Sequence, residues 1–283
     1  MSTLHEITLG HTPDADDAFM FYGIASGNIK SCEFKIKHVI EDIETLNQRA
    51  LKHDLDVTAV SAHAYAYLKD YVILQSGGSF GLNYGPVVLS KENISHTKLK
   101  DSVIAIPGRM TSANLLLNLA LGKFREKVMP FDQIVEAILS DKAEAGLVIH
   151  EAQITYNRKN SGLYKVLDLG EWWTSRSNGL PLPLGINVAS SRSLTSEQIR
   201  RFDQLFRTSI LYGFNNIDAA LDYSMKYGRG QPRNLISKFI KMYVNNLTMD
   251  MGEIGRKSIE QMYLMANIKG ILKSASASFS NRI

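Results

Sequence analysis

Residues 146–156 read GLVIHEAQITY, a small and apolar run from Gly146 to Ile149 that breaks off at His150 and Glu151. Leu147-Val148-Ile149 is the pattern of a short, fully buried strand. In open α/β sheets ligands bind beyond the carboxyl ends of strands, so His150 falls where a central strand emerges into a cleft. Three other apolar runs end in the same way. ITLG is followed by His11-Thr12-Pro13-Asp14-Ala15-Asp16-Asp17, DVTAV by Ser61, and SVIAI by Pro107-Gly108-Arg109-Met110-Thr111-Ser112. Four strand ends therefore carry the polar groups of a binding site.

Around these ends the chain alternates strands and helices. EITLG (6–10), CEFKIKHVI (32–40), DVTAV (56–60), YVILQ (71–75) and GPVVLS (85–90) read as strands. They are separated by helical patterns at 16–27, 42–52 and 61–70. A second unit holds strands at 102–106 and 145–149 and helices at 111–124 and 131–142, and 163–170 ends it. NGLPLPLGINVAS (178–190), with two prolines and two glycines, reads as a crossing between domains. The remainder is helical, and Thr195-Ser196-Glu197-Gln198 is a capped helix start. Such alternation predicts an α/β fold with mostly parallel sheets, closed as a two-lobed clamp. One lobe is expected over 1–90 plus 189–270 and the other over 91–188, followed by a disordered Ser-rich tail at 271–283.

Composition narrows the function classes. With 283 residues, 45% hydrophobic and 21% charged, the chain is an ordinary globular one. Its formal net charge of +4 is spread among interleaved acids, with no basic block of the kind that binds nucleic acid. Cys32 is the one cysteine, which suits a reducing compartment and gives no Cys/His cluster for zinc. MSTLHEITLG lacks the pattern of a secretion signal, and no apolar run approaches the roughly 18–20 residues needed to span a bilayer. The expectation is a cytoplasmic protein acting on a small molecule, without cofactor, metal, nucleic acid or membrane, and with a homodimer left open.

Each polar cluster also has a plainer reading. Asp14, Asp16 and Asp17 suit a helix start, where carboxylates complement the dipole, although three acids in four positions exceed what a cap needs. PGRMTSA resembles an anion cradle, with Gly108 allowing close approach and Arg109, Thr111 and Ser112 around a helix N-terminus; an ordinary capped helix is the alternative. Ser61 also reads as an N-cap and His150 as a structural histidine. GGSFGLNYG (77–85) reads as a flexible turn rather than a phosphate loop, and Trp172-Trp173 as packing rather than a stacking platform.

The segments TPDADDAFMFYG, VSAHAYAYL, SGGSFGLNYGPVV, IAIPGRMTSANLLL, AGLVIHEAQITY, LDLGEWW, GLPLPLG and YVNNLTMDMGEIGRKSIE carry a resemblance over about residues 7–267. The chain resembles the 1,4-dihydroxy-6-naphthoate synthases of the futalosine route to menaquinone. The resemblance implies a fold like type II periplasmic binding proteins, with the active site between the lobes. It implies a cofactor-free carbon–carbon lyase acting on cyclic dehypoxanthine futalosine. His150 matches the family's proposed general base, and Ser61 and Thr111 match hydroxyls in its ligand cleft. The first motif departs from the family's frequent Ser-Pro-Cys-Pro-Asn-Asp-Thr-Phe: here it is Thr12-Pro13-Asp14-Ala15-Asp16-Asp17-Ala18-Phe19.

On that reading an imidazole, which titrates near neutral pH, takes the substrate proton. The helix starting near Thr111 holds a carboxylate, and Asp14 and Asp16 accept hydrogen bonds from sugar hydroxyls. Glu151 follows His150 directly but points to the opposite side of an extended chain. Two rival readings stand beside it: a non-catalytic protein that closes on a small carboxylate, and the sister chorismate dehydratase.

Overall fold

A computed structural model of the chain describes residues 4–150, 152–156 and 161–280. Its strands are β1 (His5–His11), β2 (Phe34–Ile40), β3 (Val57–Ser61), β4 (Tyr71–Ile73), β5 (Ser79–Gly81), β6 (Val87–Ser90), β7 (Val103–Ile106), β8 (Arg125–Val128), β9 (Ala145–Val148), β10 (Tyr164–Asp168) and β11 (Leu182–Ser190). They form two sheets. The first runs β2-β1-β3-β11-β4, with β5 also paired to β11; the second runs β10-β6-β9-β7-β8. The two-lobed α/β architecture expected from the alternation is present.

Its details correct the sequence reading at three points. First, the sheets are mixed rather than mostly parallel. β1 pairs in parallel with β2 and β3, and β7 with β8 and β9, but β6 and β11 run antiparallel to all their neighbours. These two are the strands by which the chain arrives in each lobe, and each inserts against the direction of the sheet it joins. Second, the boundary is displaced from 91–188. β6 already belongs to the second sheet, and 182–190, read as a crossing, is a central strand of the first. Pro183 is accommodated because the register against β5 shifts between Pro183 and Gly185, an irregularity at which a residue without an N–H is tolerated.

The third correction concerns the C-terminal segment, expected to be disordered over 271–283. Residues 281–283 lie outside the described residues, but the stretch before them is packed. Phe279 bridges to Ile73 at the edge of the first sheet and is 1% exposed. Ile73 N–H donates to the Ser278 carbonyl at 2.8 Å, and Ser280 Oγ donates to Asp203 Oδ2 at 2.7 Å. A buried aromatic ring, a buried carboxylate and backbone ties at Ser278 anchor what composition alone marks as tail. Ser280→Ala is expected to lower unfolding free energy by about 1.5–3 kcal/mol, the worth of a hydrogen bond to a carboxylate. A chemical-denaturation curve superimposable on wild type removes that anchor.

Two cores hold the lobes. Helices Ala15–Ala25 and Ser196–Asn215 cover one face of the first sheet, where the Phe21 and Phe206 rings stack at 4.3 Å between centroids. The helix Ser196–Asn215 begins with the expected capping box between Thr195 and Gln198. In the second sheet β9 lies between β6 and β7 and is buried throughout. Gly146 is required there, since a Cβ would come within 2.4 Å of Ile134 and 2.8 Å of Ile138 on the helix covering it. Among the described residues no helix is long and apolar enough to cross a membrane.

Candidate active site

A cavity of about 120 Å³ lies between the lobes. The first lobe lines it with Thr12, Asp14 and Asp16 beyond β1, Ser61 at the end of β3, and Asn187 in β11. The second lobe contributes Thr111, Ser112 and His150. Strand ends from both sheets thus converge on one space, and of the site residues expected from the sequence only Arg109 does not line it.

Beyond β9 the backbone turns sharply at His150, whose φ of +59° lies in the left-handed region. Histidine is among the side chains better tolerated there. Gln153 holds the turn. With its amide oriented by its partners, Oε1 accepts from His150 N–H at 2.9 Å while Nε2 donates to the Gly85 carbonyl and Tyr243 Oη, each at 2.7 Å. That arrangement leaves the Tyr243 hydroxyl proton available to a ligand. Burial pushes this phenol far above its usual range, so it stays a neutral donor. The His150 side chain is 17% exposed, with Nδ1 3.5 Å from Asp14 Oδ2. Glu151 lies outside the described residues.

The hydroxyls divide into two groups. Ser61 occupies an N-cap position but makes no side-chain capping bond. Instead Asn47 fixes it, donating Nδ2–H to Ser61 Oγ at 3.1 Å and accepting from Ser61 N–H at 2.8 Å. The Ser61 hydroxyl proton is therefore not taken up by the helix. Thr111 is a true cap: its Oγ1 accepts from Asn114 N–H at 3.2 Å and donates to the Gly108 carbonyl at 2.9 Å. Ser112 Oγ donates to the Leu184 carbonyl at 2.5 Å. What the helix Ser112–Leu121 offers the cavity is its N-terminal backbone N–H groups, which have no partner within a helix.

The acidic motif is organised, not merely a helix start. Asp14 makes no cap bond to the helix Ala15–Ala25. It is almost fully buried, with its carboxylate between His150 and the guanidinium of Arg229. Burial alone pushes the Asp14 carboxyl up, but His150 and Arg229 outweigh it and hold the group below the usual carboxylate range. Asp17 accepts from Thr12 N–H at 2.7 Å and from Thr12 Oγ1 at 2.8 Å. Burial pushes the Asp17 carboxyl up to about 7 against those donors. Thr12 thus fixes the loop, and its hydroxyl proton is directed at Asp17 rather than at a ligand.

Arg109 corrects the expectation. It is exposed, pairs through Nε with Glu126 Oε1 at 2.5 Å, and does not line the cavity. The Gly108 turn that resembled an anion cradle already holds an anion of the protein: Glu44, from the helix Ile43–Leu51 of the other lobe, accepts from Met110 N–H at 3.2 Å. A Cβ on Gly108 would sit 2.5 Å from the same carboxylate. The glycine-rich stretch at 77–85 is a structural turn, with Gly77 N–H bound to the Thr248 carbonyl at 2.7 Å. Trp173 is buried and Trp172 packs beside the same core, so neither forms a stacking platform.

Four participants gave little signal in the sequence. Asn47 and Tyr243 sit inside helical patterns, Gln153 sits in the stretch after His150 to which the sequence reading assigns no element, and Asn187 sits in the stretch read as a crossing. Asn187 Nδ2 donates to the Gly77 carbonyl at 2.9 Å, while its buried Oδ1 is unpartnered on the cavity wall.

Behind the cradle helix, His63 Nδ1–H donates to the Thr111 carbonyl at 3.2 Å, and its Nε2 is buried without a partner. Burial lowers this imidazole from 6.5 to about 4, so it is neutral in the folded chain. As pH falls, the unfolded chain takes the proton first, and the stability present above 6.5 is lost between 6.5 and 4. His11, lowered to about 4 by burial and by His38, acts in the same direction. His63→Gln should therefore show a shallower fall of Tm across that window than wild type. An unaltered slope in thermal melts rejects the assignment.

A two-lobed α/β clamp whose cleft holds a histidine, buried carboxylates and a helix N-terminus is built like the periplasmic binding proteins. The alkanesulfonate-binding protein of Xanthomonas axonopodis pv. citri, solved with MOPS bound, superposes with a TM-score of 0.70 over 97% of this chain and 96% of that one, at 12% identity. That likeness is one of fold. A protein of Archaeoglobus fulgidus, known from its crystal structure, matches at a TM-score of 0.89 and 48% identity, covering 94% of this chain and 98% of that one.

The chain belongs to the menaquinone biosynthesis family, whose model matches residues 7–267. It is 36% identical to the 1,4-dihydroxy-6-naphthoate synthase of Thermus thermophilus, over 95% of this chain and 96% of the relative. To the enzyme of that name from Streptomyces coelicolor it is 32% identical, over 94% of each. It is accordingly similar throughout its length to enzymes of menaquinone biosynthesis.

Proposed function

We propose that the chain is a carbon–carbon lyase that converts cyclic dehypoxanthine futalosine to 1,4-dihydroxy-6-naphthoate, with His150 as general base. The observation that carries this reading is that His150 lines the same cavity as Ser61 and as Thr111 and Ser112 at the start of Ser112–Leu121. Its chemistry fits the groups present. An imidazole accepts the substrate proton, the electrons left behind break the carbon–carbon bond and release the sugar-derived fragment, and aromatisation supplies the driving force. The N–H groups at the start of Ser112–Leu121 suit the substrate carboxylate. Ser61, Tyr243 and Asn187 offer two donors and an acceptor to the hydroxyl-rich remainder. Closure of the lobes excludes water. No step in this scheme calls for a cofactor, and a lone cysteine suits work in the cytoplasm.

Purified protein incubated with cyclic dehypoxanthine futalosine is expected to develop the naphthoate chromophore, and incubation with chorismate to leave it unchanged. Dehydration of chorismate would transfer the chain to the sister activity. Tight binding of either compound without turnover would make it a binding protein.

A further inference from the structure

Asp14 and Arg229 come from the first lobe, His150 and Phe131 from the second. Asp14 Oδ2 faces His150 Nδ1 at 3.5 Å, and Asp14 Oδ1 accepts from the Arg229 guanidinium. Arg229 also donates to the Pro13 carbonyl at 3.3 Å and lies over the Phe131 ring, 4.8 Å from its centroid. That ring meets the His150 imidazole edge-on at 4.5 Å between centroids. The carboxylate is almost fully buried and turned away from the helix it precedes. A buried carboxylate is costly unless its partners satisfy it, and here both partners belong to the base's surroundings.

We propose that Asp14 is the positioning residue of His150. Its carboxylate faces Nδ1, which favours the tautomer protonated there and leaves Nε2 to accept the substrate proton. Its charge then balances the imidazolium that forms, as buried carboxylates do for catalytic histidines elsewhere. Arg229 keeps Asp14 ionised and oriented. Because the pair spans the cleft, the base is oriented only when the lobes are together. This rests on the reading of His150 as general base, and it replaces the expectation that Asp14 binds a sugar hydroxyl. The other ionisable groups that line the same cavity are Asp16, Asp17 and Tyr243.

Steady-state kinetics of Asp14→Asn test the proposal. The expected result is a kcat lower by roughly tenfold to a hundredfold, the usual effect of losing the group that orients a functional histidine, with KM nearly unchanged. Asp14→Glu should recover part of kcat. A loss confined to KM, or a kcat within twofold of wild type, overturns the proposal while leaving His150→Asn inactive. Wild-type turnover in His150→Asn instead overturns the general-base reading beneath it. If Asp14→Asn does not fold, Arg229→Gln reads the same arrangement: a kcat loss at unchanged KM supports it, and unchanged kcat rejects it.

Discussion

His150→Ala should lower turnover of cyclic dehypoxanthine futalosine by about 10²–10⁴-fold, the range associated with a positioned general base, while leaving affinity for the naphthoate product close to wild type. Two features make this the largest functional effect expected in the molecule. The imidazole is the one histidine among the cavity-lining residues, and its backbone is locked by Gln153. Alanine is less at ease than histidine at a φ of +59°. His150→Asn, which tolerates that conformation, separates loss of the base from local strain. Near wild-type turnover in both variants would falsify the assignment.

Trp173→Ala is expected to cost about 3–5 kcal/mol of unfolding free energy, as for other fully buried aromatic truncations. The indole is completely buried, and its Nε1–H donates to the Leu180 carbonyl at 2.8 Å and the Pro181 carbonyl at 3.1 Å. Those carbonyls open the return into β11, so the side chain both fills the core and pins the second passage between lobes. Trp173→Phe keeps most of the ring but loses the hydrogen bond, and should fall between wild type and alanine. A denaturation midpoint for Trp173→Ala within experimental scatter of wild type would show that the return is anchored elsewhere.

Much of this was legible in the chain. Strand ends followed by polar residues announced the cleft, because a parallel α/β unit leaves those ends open, and Thr12, Asp14, Asp16, Ser61, Thr111, Ser112 and His150 do meet there. Arg109 was misplaced because spacing cannot say which side of a turn a long side chain takes, and Glu126 on β8 lies within its reach. β11 was hidden by Pro181 and Pro183, whose usual meaning is a break in structure; its bulge is a tertiary feature. Asn187, Tyr243 and Gln153 were invisible for a different reason. Their roles depend on which face of an ordinary helix or strand is turned inward, and that is decided by partners far along the sequence. The tail was misjudged because its serines dominate its composition, whereas Leu272, Phe279 and a few hydrogen bonds from Ser278 and Ser280 hold it in place.

The position of β11 has a consequence for how the molecule is made. β4 pairs only with β11 among the strands, and β3 depends on it for its second neighbour. As the nascent chain leaves the ribosome, the segment holding β6 to β10 can close its own sheet while the earlier half still waits for residues 182–190. The lobe encoded first is the one completed last.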